Sequence, residues 1–69
     1  MKFDHSKLNG RIVEKFGTQR ALATAIGWTE TKLSARLNNV VQFDAEEIYL
    51  LCDILDIPDE EIIAYFFTV

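Results

Sequence analysis

Apolar side chains recur along this chain at helical spacing. Leu8, Ile12 and Phe16 stand four residues apart, the repeat that lines one face of a helix. Asp4 ahead of them can cap that helix, since a carboxylate accepts from the free N–H groups of a first turn, and Gly17 ends it. Gly10 lies inside the run, where glycine costs about 1 kcal/mol relative to alanine. Close approach of another helix or a phosphate would account for it, and so would a tolerated surface position. Leu22 and Ile26 mark a second helix, Gln19 to Ile26, capped by Thr18, with Ala23 small enough for another helix to cross closely. Gly27 supplies the backbone freedom that ends it in a tight turn. Thr29 caps a third helix, with Leu33 and Leu37 turned inward, Trp28 and Leu33 as a hydrophobic staple, and Asn39 at its end.

Residues 40–43 link to a fourth helix with the best-marked start in the chain. Asp44 and Glu47 form a capping box, Phe43 and Ile48 a staple, and Ile48, Leu51, Cys52 and Leu55 the buried stripe. Pro58 suits the first position of a fifth helix, with Asp59, Glu60 and Glu61 near its positive end. Ile62, Tyr65, Phe66 and Val69 share one face of it, and Ile63 and Phe67 lie off that face. Only residues 66–69 carry a pattern that could extend. The expected fold is all-α, five short helices in one domain over residues 1–69, with no repeat and no low-complexity linker.

Charge divides the chain. Residues 41–69 carry eight acidic side chains and no basic one, whereas residues 11–40 carry five basic against two acidic, within a net charge of −4. Such a molecule is basic at one end and can approach nucleic acid by that surface alone. Enzymatic chemistry lacks parts. His5 is the only histidine and Cys52 the only cysteine, so neither a metal site nor a nucleophile–base pair can be assembled. Cys52 falls within the apolar stripe and reads as core filler. No cofactor, metal or small-molecule ligand is expected, nor a membrane segment; the chain reads as soluble and cytoplasmic.

Two capped helices joined through a glycine turn are the sequence form of a helix-turn-helix, here residues 18–38. The second of the pair turns Glu30, Thr31, Lys32, Ser34, Ala35 and Arg36 outward, as a helix entering the major groove of DNA would. The run from Gln19 to Asn38, with Leu22, Ala23, Ile26, Gly27, Trp28, Thr29, Leu33, Ser34 and Leu37 in the matching places, resembles the lambda-repressor and Cro-like helix-turn-helix family. The segments from Phe43 to Ile48, Ile54 to Ile62 and Tyr65 to Phe67 extend the likeness to small phage Cro-like regulators, a group of which has been catalogued as a family of unknown function. That resemblance implies a transcriptional repressor binding double-stranded operator DNA, as a homodimer.

It also implies roles. Glu30, Thr31, Lys32 and Ala35 would read bases; Gln19, Arg20, Thr29, Ser34, Arg36, Asn38 and Asn39 would hold the DNA backbone. Ala35 has no hydrogen-bonding group, Glu30 brings a carboxylate near phosphates, and Asn39-Val40-Val41 stands where the family often has glycine then a base. The tail, residues 62–69, holds more large apolar groups than one helix face can bury, which makes Ile63, Tyr65, Phe66, Phe67 and Val69 candidates for a dimer interface. A rival reading is a protein-interaction module, an anti-repressor or co-regulator. In it the acidic half or the apolar tail binds another regulator and the helix-turn-helix is scaffold.

Overall fold

The computed structural model describes residues 2–69. Five α-helices run in the order α1 (Ser6–Phe16), α2 (Gln19–Ile26), α3 (Glu30–Leu37), α4 (Ala45–Ile54) and α5 (Ile62–Phe66), with a 3-10 turn, Asp59–Glu61, leading into the last. The described residues contain no strand. The expected all-α architecture is therefore what the chain adopts. Leu8 and Ile12 of α1, Leu22 and Ala23 of α2, Leu33 and Leu37 of α3, Ile48, Leu51 and Cys52 of α4, and Phe66 of α5 converge on one apolar cluster, which Leu55 and Ile57 complete.

Local chemistry sets the helix starts. The Thr18 hydroxyl accepts from Ala21 N–H at 3.1 Å and the Thr29 hydroxyl from Lys32 N–H at 3.1 Å. At α4 both halves of the capping box close: Asp44 Oδ1 accepts from Glu47 N–H at 2.8 Å, and Glu47 Oε1 from Asp44 N–H at 3.0 Å. Each bond satisfies a donor that the helix itself leaves unpaired. The start of α1 differs from expectation. His5 occupies the cap position without a side-chain bond, and Asp4 Oδ1 accepts instead from Ser6 N–H at 2.8 Å. Hydrogen bonding from the Ser6 side chain, and second from its backbone N–H, lowers the Asp4 carboxyl below its ordinary range. Pro58 stands one residue ahead of the 3-10 turn rather than inside a helix, so the acidic run precedes α5.

Three helices end the same way. A residue one or two places past the helix turns left-handed and the next N–H returns to a carbonyl about one turn back. Gly27 (φ 76°) does so after α2, with Trp28 N–H to Ala23 O at 2.9 Å. Asn39 (φ 63°) follows α3, with Val40 N–H to Ala35 O at 2.8 Å, and Asp56 (φ 54°) follows α4, with Ile57 N–H to Cys52 O at 2.9 Å. This last turn carries Ile57 into the core, an apolar position outside the helical stripe.

An aromatic chain closes the two ends of the protein on each other. Phe67 meets Phe3 edge-on at 5.5 Å, His5 meets Phe43 at 5.5 Å, and Phe43 meets Phe66 at 5.3 Å. Asp4 N–H donates to Thr68 O at 2.6 Å. His5 is a buried core residue whose Nδ1 lies 3.2 Å from Leu37 O.

No atom lies within 4 Å of a Cβ placed on Gly10, and the residue is exposed. The surface position is therefore the correct account of that glycine. Gly10→Ala is expected to raise stability by about 0.5–1 kcal/mol, chiefly by restricting the unfolded chain. The urea midpoint measures it; a lower midpoint would mean that this backbone position has a constraint the fold does not display.

Candidate functional site

Helices α2 and α3 meet through the Gly27 turn, and only part of the outer face of α3 is exposed. Glu30, Thr31 and Lys32 are exposed and Ala35 and Ser34 half-buried. Glu30, Thr31, Ser34, Ala35, Asn38 and Val40 rim one shallow depression on its outer side. The basic groups around it are largely engaged within the protein. The Arg36 guanidinium folds back, its Nε donating to Glu47 Oε1 at 2.9 Å and its Nη1 to Lys32 O at 3.2 Å. Trp28 lies beneath both cations, 4.4 Å from Lys32 Nζ and 5.4 Å from the Arg36 guanidinium carbon, within the range of cation–π attraction.

The positions expected to hold a DNA backbone are occupied in the same manner. Asn39 clamps Phe3, its Oδ1 accepting from Phe3 N–H at 2.9 Å and its Nδ2 donating to Phe3 O at 2.8 Å. Gln19 Nε2 donates to Asn9 Oδ1 at 3.2 Å, and Asn38 Nδ2 to Ser34 Oγ at 3.0 Å. The Thr29 hydroxyl is spent on its cap. Arg20 is exposed and has no ion pair among the described residues. Elsewhere Lys7 pairs with Glu61 at 3.8 Å, Arg11 with Glu14 at 2.6 Å, and Lys15 with Asp56 at 2.9 Å. Arg11 also donates to Leu55 O at 2.8 Å and Asp56 O at 3.1 Å, closing the carbonyl end of α4. The net positive count of residues 11–40 thus yields little free positive surface.

A second surface is different in kind. On α4 and the turn after it, Cys52 and Ile57 form the floor of an open groove, and Tyr49, Asp53, Asp56, Pro58 and Asp59 form its walls. Tyr49 is 63% exposed, large for an aromatic side chain. Lys15 holds the Asp56 carboxyl below its ordinary range, whereas Asp53 and Asp59 have no ion pair among the described residues. Burial pushes the Cys52 thiol up, with the Asp59 charge adding to it, which keeps the sulfur unreactive. Sequence reasoning passed over this groove. The available signal was Tyr49, an aromatic residue outside the apolar stripe of its helix.

Of the dimer candidates, Phe66 is corrected: it is 2% exposed and belongs to the core. Tyr65 is half-buried against the same cluster, while Ile63, Phe67 and Val69 are exposed. Among the described residues no group of three or more His, Cys, Asp or Glu side chains is placed to hold a metal ion. No described helix is long and apolar enough to cross a membrane.

Fold and surface together define an all-α helix-turn-helix scaffold in which Lys7, Arg11, Lys15 and Arg36 are paired with acids, with an acidic groove on α4 and the turn after it. The chain belongs to the DUF739 family, described as proteins of unknown function, whose profile matches residues 1–69. It is similar to a solved structure, the modulator of repression (MOR) of the temperate bacteriophage TP901-1 from Lactococcus lactis. The two are 39% identical, with a TM-score of 0.86 over 97% of this chain and 90% of that one. A comparison with curated proteins finds no match.

These likenesses correct the identification made from the helix-turn-helix run. The chain aligns with a modulator of repression, not with a Cro-type repressor, and the reading as an operator-binding repressor falls with it. The physical reason lies in what the motif residues do. Leu22, Ala23, Leu33 and Leu37 are buried in the core and Gly27 makes the turn. They specify the scaffold and say nothing of what its outer face meets. The neighbour's name describes regulation rather than a catalysed reaction.

Proposed function

We propose that this chain modulates repression by binding a repressor protein, acting as a protein-interaction module rather than on operator DNA itself. The observation that carries this reading is the 39% identity with the phage modulator of repression across 97% of the chain. The charge distribution supports it. Residues 41–69 carry eight acids and no base, and although Glu47, Asp56 and Glu61 are paired with cations of other elements, the remaining carboxylates repel a phosphate backbone and attract the lysine and arginine side chains with which DNA-binding proteins neutralise that backbone. In this role the protein works in the cytoplasm of a bacterial host, where its repressor is found.

Calorimetric titration of the chain with the full-length repressor of the phage or prophage that carries its gene tests the proposal. A complex of fixed stoichiometry is expected, with a dissociation constant on the order of 1 μM or tighter. No heat and no co-migrating complex at tens of micromolar concentration would remove the reading.

A further inference from the structure

Resting on that reading, we infer that the groove between α4 and the turn before α5 is the docking surface, and that its occupant is the basic, DNA-contacting helix surface of the repressor. Three features of the groove support the assignment. Its floor is apolar, with Cys52 and Ile57 6% and 4% exposed. Its rim carries Tyr49, an amphipathic ring standing in solvent; tyrosine in such a position anchors interfaces and offers a π face to a guanidinium or ammonium group. Asp53 and Asp59 stand on the same walls without an internal cation among the described residues. An arginine or lysine entering the groove would lay its aliphatic stem on the floor, its charge between the two carboxylates and its face against Tyr49.

Charge complementarity selects this occupant. A repressor grips its operator through lysine and arginine, and those contacts dominate its affinity. A partner that covers them competes with DNA for one set of side chains, so one groove explains how repression is modulated. The other exposed surfaces match less well. The acidic depression lined by Asp44, Glu46 and Glu47 is shared with Lys32, and its Glu47 is already bound to Arg36. The outer side of α3 offers one carboxylate, Glu30, among neutral residues. The exposed tail residues Ile63 and Val69 carry no charge to select a basic partner.

The test is an amide NMR titration of the isotope-labelled chain with the same full-length repressor, together with surface variants. Shifted or broadened signals are expected at residues 49–59. Tyr49→Ala is expected to weaken binding at least fivefold, and the pair Asp53→Asn with Asp59→Asn at least fivefold with a flatter salt dependence. Arg20→Ala is expected to bind as the wild type does. A footprint confined to residues 30–38 or 63–69, or unchanged affinity in both groove variants, overturns the groove while the repressor-binding role stands. Absence of any complex overturns both.

Discussion

Phe66→Ala is expected to destabilise the protein by about 3–5 kcal/mol, the usual loss for a buried phenylalanine. A chain of 69 residues holds on the order of 3 to 10 kcal/mol in total, at roughly 0.05–0.15 kcal/mol per residue. A single truncation then consumes much of the stability and leaves a large unfolded population. Several causes converge on this residue. Phe66 is the largest fully buried side chain and meets Phe43 edge-on at 5.3 Å, an arrangement that adds to its burial. The helix that carries it, α5, has only five residues, too few to persist without tertiary packing. Through Phe43 and His5 the loss reaches the N-terminal segment as well. Urea denaturation followed by circular dichroism checks it. A loss below about 1 kcal/mol with an unchanged slope would show that α5 is not integral to the core.

Glu47→Ala carries the next largest effect, about 2–3 kcal/mol. One carboxylate oxygen serves both the α4 capping box and Arg36, at 3.0 and 2.9 Å. Asp44 keeps its cap bond to the backbone N–H of residue 47, so only the reciprocal bond from Asp44 N–H is lost, about 0.5–1 kcal/mol. The remainder comes from a guanidinium left half-sheltered between Trp28 and α4 with no anion. The side chains of Arg36 and Glu47 retain 15% and 11% of their exposure, so the cost stays below that of a fully buried pair. A double-mutant cycle with Arg36→Ala is expected to return a coupling of at least about 0.5 kcal/mol. Additive losses would mean that the two groups act independently.

The same pair sets a pH dependence. The hydrogen bond from Arg36 is the main cause that holds the Glu47 carboxyl below its ordinary value of 4.5; burial opposes it, and the Asp44 backbone N–H and the positive charges of Arg36 and Lys32 assist. A depressed folded value means that the contribution is complete above pH 4.5 and is lost as pH falls through the folded value. The stability gap between wild type and Glu47→Ala should therefore be constant near neutrality and close in acid.

Local signals were legible in the sequence. Thr18, Thr29 and the Asp44–Glu47 box act over three residues, so a reader of the chain sees both partners at once. The turns at Gly27 and Asn39 were legible for the same reason. What crosses the fold was not. The Phe67–Phe3 and Phe43–Phe66 contacts join residues far apart in sequence, and nothing at Phe3 announces its partner. The sequence assigns Phe66 to an interface because the tail holds more apolar groups than one helix face can bury. Ile63 and Val69 are indeed left out, but Phe66 is not.

The candidate site illustrates a second limit. Arg36 and Lys32 appear on the outward face of α3 in any helical projection. Only the packing of α4 beside Trp28 reveals that Arg36 is bound to Glu47. Counting bases along a segment overstates the positive surface wherever acids of another element lie within reach. The charge division itself was visible and pointed two ways. The pairing of Lys7, Lys15 and Arg36 with acids, and Asp53 and Asp59 of α4 and the turn after it, unpaired among the described residues, favour a protein partner.

The most direct measurement is the anisotropy of a labelled operator duplex held by its repressor, followed as this chain is added. Loss of the repressor-bound signal is predicted, with no rise when the chain meets the operator alone. A chain that raises the operator's anisotropy by itself with sequence preference, or that leaves the repressor in place at saturation, would contradict the account.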